Sequence, residues 1–154
     1  MKMKNILMSL MFCVASPVFA ADVPTVAVPT VAERMSNARN AIKINNWRAA
    51  MAELNVAIKE EPRNADAHNL LAYSYRKQAR PDLPKAFEHY NIALKLDPKH
   101  RGAHEYIGEA YLMDKKPAEA EQHLAELEKI CGNKTCEEYA DLARAIADYK
   151  AKNK

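Results

Sequence analysis

The chain has 154 residues, 49% of them hydrophobic and 28% charged, with a formal net charge of +3. That is the make-up of one folding domain of ordinary size, too apolar for a disordered chain. Only 3 glycines are present where average usage gives about eleven; with abundant alanine, leucine, lysine and glutamate, this reads as helical and argues against β-sandwiches, barrels and glycine-rich phosphate loops.

The chain opens with Lys2 and Lys4, an apolar stretch from Ile6 to Ala15, a break at Pro17 and the small-residue site Val18-Phe19-Ala20. This order predicts a secretory signal peptide over residues 1–20, cut after Ala20, and a periplasmic or secreted mature chain. Cys13 follows Phe12 and not a small residue, which argues against a lipid anchor. No apolar run approaches the roughly 18 residues of a membrane span, so no stable membrane insertion is expected. Losing Lys2 and Lys4 leaves 21 basic against 20 acidic residues, a net charge of +1. A surface so close to neutral gives no electrostatic case for nucleic acid or an anionic membrane as partner.

Residues 21–31, ADVPTVAVPTV, read as a Pro-punctuated extended linker without helical periodicity. From Ala32 the apolar pattern is helical, and it repeats. Ala38, Ala72 and Gly108 fall in register, as do Ala50, Ala86 and Ala120, then Leu54, Tyr90 and Leu124, then Pro62 and Pro98. The spacings are 34 or 36 residues, and the difference falls in the Arg80-Pro81-Asp82 turn. Stacked helical hairpins tolerate insertions confined to a turn. Small residues at Ala72/Gly108 and Ala86/Ala120 are expected to let the two helices of a hairpin approach, with Tyr75/Tyr111 and Tyr90/Leu124 filling the space beside them. Pro62 and Pro98 end the second helix of their units, because neither can donate the next backbone hydrogen bond.

After the repeats, Thr135 to Ala151 predicts a separate amphipathic helix. Thr135 stands at its cap with Glu138 in capping-box position, and Tyr139, Leu142, Ala143, Ile146 and Tyr149 form one apolar stripe. Such a helix covers the apolar side of the last hairpin, as a solenoid requires; Lys150 to Lys154 form a basic tail. Cys131 and Cys136 remain after signal cleavage, an even number in an oxidising compartment, and predict a structural disulfide. Redox dithiols favour a two-residue spacer, whereas four residues intervene here.

The segment YNIALKLDP from Tyr90 to Pro98, with Leu71-Ala72, Tyr75 and Ala86 before it, resembles a tetratricopeptide repeat, and Ile107-Gly108, Tyr111 and Ala120 match it one unit later. A weaker unit carries Ala38, Trp47, Ala50 and Ala57 but has Asn37 and Ala41 where the pattern prefers large apolar or aromatic residues. Leu127 and Gly132 depart from it in the third unit. The resemblance covers about two-thirds of the chain. It implies an all-α fold: three hairpins over 32–63, 64–100 and 101–134, stacked as a short right-handed solenoid, with 135–154 as capping helix and tail.

Catalysis finds no support. Ser36 and Ser74 both fall inside predicted helices, outside any strained strand–turn–helix context. His100 and His104 share an HxxxH spacing, yet His100 precedes its helix and no carboxylate or cysteine accompanies the pair. His68 matches His104, and His89 matches His123, in the repeat register, which suits scaffold better than site. No metal site and no cofactor are expected, and the protein is read as not an enzyme.

The resemblance implies a concave surface, lined by the first helix of each hairpin, that holds a protein or an extended peptide. Carried over by position, it takes Met35, Arg39 and Lys43 from the first unit. The second gives Asn69, Tyr73, Arg76 and Lys77, and the third Glu105, Glu109, Leu112 and Met113. The groove would be basic at one end and more acidic at the other, able to fix a ligand's direction. The same residues also suit the ordinary polar face of any helix. The lysine and asparagine of the carboxylate-clamp subtype are replaced by Met35 and Arg39, so terminal-carboxylate recognition is not expected. Three functions stay open: an exported non-enzymatic adaptor or scaffold in envelope complex assembly, a self-associating structural protein (a homodimer), and a periplasmic metal- or redox-handling accessory protein.

Overall fold

Local capping chemistry divides the described residues into seven helices. The structure is a computed structural model and describes residues 27–153; the predicted signal peptide and most of the linker lie outside them. The helices are α1 (Val31–Lys43), α2 (Trp47–Glu60), α3 (Ala65–Lys77), α4 (Leu83–Leu96), α5 (Arg101–Met113), α6 (Pro117–Cys131) and α7 (Glu137–Lys152), with no strand among the described residues.

The helix starts follow from short polar side chains that accept orphan backbone N–H groups. Asn46, Asn64 and Asp82 cap α2, α3 and α4, and His100 caps α5 through its ring. Thr30 and Glu33 complete a capping box on α1, so the helix takes Val31 from the predicted linker. The predicted box at the other end does not form. Cys136 stands at the cap of α7, and the N–H and hydroxyl of Thr135 donate to Asn133 Oδ1 at 2.8 and 2.9 Å. The Cys131–Cys136 disulfide joins the last residue of α6 to that cap, with Gly132 in the left-handed region at φ 69°. Glu138 is thereby released to pair with Arg101 across the α5–α7 contact, at 3.4 Å.

The turns show how the insertion is absorbed. In the first and third units one residue with positive φ, Asn45 or Lys115, reverses the chain, and Asn46 N–H and Lys116 N–H each donate to a carbonyl five residues back, Ala41 and Tyr111. In the second unit the two extra residues make positive φ unnecessary. Asp82 N–H still reaches the matching carbonyl, Tyr75, at 3.0 Å.

Packing follows the small-against-large alternation. Ala38, Ala50, Ala72, Ala86, Ala103 and Ala120 are fully buried, beside Leu54, Leu71, Tyr90 and Ile107. Gly108 serves a different crossing from the expected one. A Cβ built there would lie 2.6 Å from Leu142 Cδ2, so its bare backbone admits α7, not the hairpin partner α6. Neighbouring first helices touch, α1 on α3 and α3 on α5, and α7 takes the next place on α5; second helices do not touch one another. Units that approach on one side and splay on the other form an arc, and its inner face belongs to α1, α3, α5 and α7.

Candidate binding groove

An aromatic row runs from the start of α2 onto that inner face. Trp47 meets Tyr73 edge-on at 6.1 Å between ring centroids, and Tyr73 meets Tyr106 at 4.8 Å. Arg76, one turn after Tyr73, lies against both tyrosines, its guanidinium carbon 5.3 and 5.7 Å from the ring centres. It is only 5% exposed. Nε donates to Tyr90 Oη at 3.3 Å and Nη2 pairs with Glu109 Oε2 at 2.6 Å. Burial holds the Tyr90 and Tyr106 hydroxyls above their ordinary range, Tyr106 up to about 12, so both stay neutral donors or acceptors.

Beyond Arg76 the face turns acidic. Glu105 is 8% exposed, and its carboxyl is pushed up to about 8, first by burial and then by the charges of Glu109, Asp141 and Glu138. Asn69 holds the same register position one unit earlier. It is 5% exposed, its Oδ1 is buried without a hydrogen-bond partner, and its amide nitrogen lies 3.4 Å from where a Cβ on Gly102 would be.

Two open clefts flank this centre. One, of about 410 Å³, runs between the ends of α3, α5 and α7, walled by Lys77, Met113 and Tyr149 among others. The other, of about 300 Å³, sits at the start of α5 and includes Asp66, His100, Gly102 and Glu138.

The structure therefore sorts the residues that the register assigned to the groove. Tyr73, Lys77, Glu109 and Met113 reach the inner face with side-chain surface free, and Arg39 and Lys43 are exposed. Arg39 is engaged by Asp66 at 3.2 Å. Met35, Asn69, Arg76, Glu105 and Leu112 are buried, so these are not ordinary exposed side chains of a polar helix face. The expected gradient from basic to acidic is also shortened, because Glu109 neutralises Arg76 from within. Trp47, Tyr106 and the α7 residues went unassigned. The register offers Ser36 and Leu70 at the places matching Tyr106, so no recurring type marks it.

The HxxxH spacing does not converge. His100 accepts from Ala103 N–H and faces Asp66 at 2.9 Å, whereas His104 faces His123. His104 and His123 approach Nδ1 to Nδ1 at 2.9 Å, and His104 Nε2 reaches Pro98 O at 3.1 Å. One unit earlier His68 and His89 do the same, at 2.9 Å and with Pro62 O at 3.2 Å. A carbonyl can only accept, so each first-helix ring carries its proton on Nε2 and receives one from its partner's Nδ1. Burial lowers the pKa of His68, His89 and His123, the last to about 4. Among the described residues, Cys131, Cys136 and Glu138 form the one cluster at metal-ligand distances, and its sulfurs are joined in a disulfide and offer no thiolate.

The profile of the tetratricopeptide repeat matches residues 36–100 and 82–134. The chain belongs to the tetratricopeptide repeat family. No curated protein matches it. Among solved structures it is similar to the TPR2B domain of yeast Sti1 in a pHsp70 complex, with 17% identity, 79% of this chain and 97% of that one covered, and a TM-score of 0.70. It is also similar to SycD, the type III secretion translocator chaperone of Yersinia enterocolitica, in an alternative dimer, with 19% identity, 84% and 98% covered, and a TM-score of 0.71. A third is the first TPR of Spaghetti (RPAP3) bound to an HSP90 peptide, with 16% identity, 79% and 95% covered, and a TM-score of 0.68. At these identities the likeness establishes the repeat solenoid and leaves the ligand of this TPR protein to its own residues.

Proposed function

We propose that this TPR protein is an exported, non-enzymatic scaffold that holds an extended polypeptide along the inner face of α1, α3, α5 and α7. The observation that carries this reading is the row Trp47–Tyr73–Tyr106 with Arg76 locked behind it. Rigid rings on a braced wall contact a ligand at little cost in side-chain ordering. Similar structures hold polypeptides, among them an HSP90 peptide on Spaghetti (RPAP3). The basic, apolar and small-residue order of the first twenty residues supports action in the periplasm or outside the cell, as an adaptor in envelope assembly.

The test is capture from envelope extracts with the wild-type chain and with Tyr73→Ala combined with Lys77→Glu. Both changed side chains lie on the inner face and outside the fully buried core. Capture should fall several-fold while the helical circular dichroism signal stays the same. Undiminished capture would remove the groove from the reading. Light scattering over a range of concentrations checks the self-associating alternative, which requires a lasting dimer.

A further inference from the structure

Four carboxylates gather where α5 meets α7, and three have a cation of their own. Glu109 pairs with Arg76 at 2.6 Å, Glu138 with Arg101 at 3.4 Å, and Asp141 with Arg144. Glu105 has no such partner among the described residues. It is buried, and the charges nearest to it are the other three acids and an Arg76 already committed to Glu109 and Tyr90. A buried carboxyl without a counter-charge keeps its proton, and a cation brought against it from outside would let it ionise.

Asn69 points to the same conclusion independently. Its Oδ1 is a buried acceptor without a donor, and its amide lies over Gly102, one turn of α5 before Glu105. An orphaned amide oxygen and a buried carboxyl without a cation, both along the start of α5, call for a group rich in N–H donors and lacking acceptors, which among side chains means lysine or arginine. Tyr73 and Tyr106, 4.8 Å apart, supply aromatic surface for the alkyl stem of such a side chain.

We propose that Glu105 and Asn69, walled by Tyr73 and Tyr106, form a subsite for one lysine or arginine side chain of the bound polypeptide. This assignment rests on the inner face being the polypeptide-binding surface. It gives that surface a polarity opposite to a groove built to hold acidic chain ends.

A random peptide library displayed on phage and selected on the mature chain separates the two claims. Selected peptides should share a lysine or arginine at one position. Replacing that residue with norleucine in synthetic peptides should weaken binding to the wild-type protein by at least about tenfold. The same replacement should cost little against Glu105→Gln, whose shape is unchanged. Peptides that depend on Tyr73 yet show no basic preference, or that tolerate norleucine, would overturn the subsite and leave the groove standing. A selection that yields no peptide sensitive to Tyr73→Ala would count against the groove and take the subsite with it. The norleucine comparison needs no protein variant, so it stands even if Glu105→Gln fails to fold.

Discussion

One position pair inside every hairpin and one row on the inner face obey opposite rules. Inside the hairpins the same register slot is filled three times by a mutual pair: Arg34 with Glu53 at 3.1 Å, His68 with His89, and His104 with His123. The chemistry changes from an ion pair to two rings, but the geometry of first helix against second helix is kept. On the inner face, by contrast, Met35, Asn69 and Glu105 occupy one register position, and Arg39, Tyr73 and Glu109 another. Nothing about their size, charge or hydrogen bonding is repeated. What must brace each unit is duplicated, and what distinguishes one unit from the next is turned toward the groove.

The comparison is broken most severely at the residue that serves both sides. Tyr90 is fully buried in the core and accepts from Arg76, so Tyr90→Ala removes a large side chain and leaves a buried guanidinium nitrogen without its acceptor. A loss of about 3–5 kcal/mol in urea unfolding is expected. Gly108→Leu should cost about 1–3 kcal/mol by over-packing. Because the obstructing atoms belong to Leu142, hydrogen exchange should show α7 loosening before the first hairpin does.

Two pH experiments sharpen the contrast, with opposite signs. His68, His89 and His123 have folded pKa values below the ordinary value, so the unfolded chain takes up protons that the fold refuses. Their stability is intact above about pH 6.5 and is lost as pH falls through the folded value, about 4 for His123. His123→Asn, which retains a donor near Nδ1, should flatten the fall in thermal midpoint between those values. Glu105 is shifted the other way, to about 8. Its contribution is intact below about pH 4.5 and is lost as pH rises through 8, so Glu105→Gln should gain on the wild type at pH 9 relative to pH 5. If Glu105→Gln behaved alike at both ends, the carboxyl would not be buried as described.

Much of the architecture is legible from spacing. The 34- and 36-residue intervals, the stops at Pro62 and Pro98, and the equivalence of His68 with His104 are all visible in the sequence. Which ring each histidine faces is not, since the two residues in the longer turn change the separation from 19 to 21 along the chain. Gly108 is legible as a close approach but not as an approach to Leu142, because the repeat pattern speaks only of hairpins and α7 is outside it. The burial of two groove residues is likewise set by neighbours that the spacing does not name. Glu105 reads as a polar-face residue until α7 brings Glu138 and Asp141 against it, and Arg76 reads as a free charge until Tyr90, Glu109 and two rings enclose it. Thr135 has the right residue type and spacing for a cap, but the disulfide sets where α7 can begin.

The two oxygens of Asp66 hold Arg39 of the first unit and His100, the cap of the third unit's first helix, at 3.2 and 2.9 Å. A single carboxylate thus spans all three units along one rim. Exposed pairs of this kind add little to folding stability, yet this one tethers the spacing of successive first helices at their leading ends. Exchanging Asp66 for asparagine would leave the melting curve nearly untouched while letting the superhelix change pitch, so that small-angle scattering, not calorimetry, would register the difference. The curvature of the molecule is then adjustable separately from its durability, through one side chain at its edge.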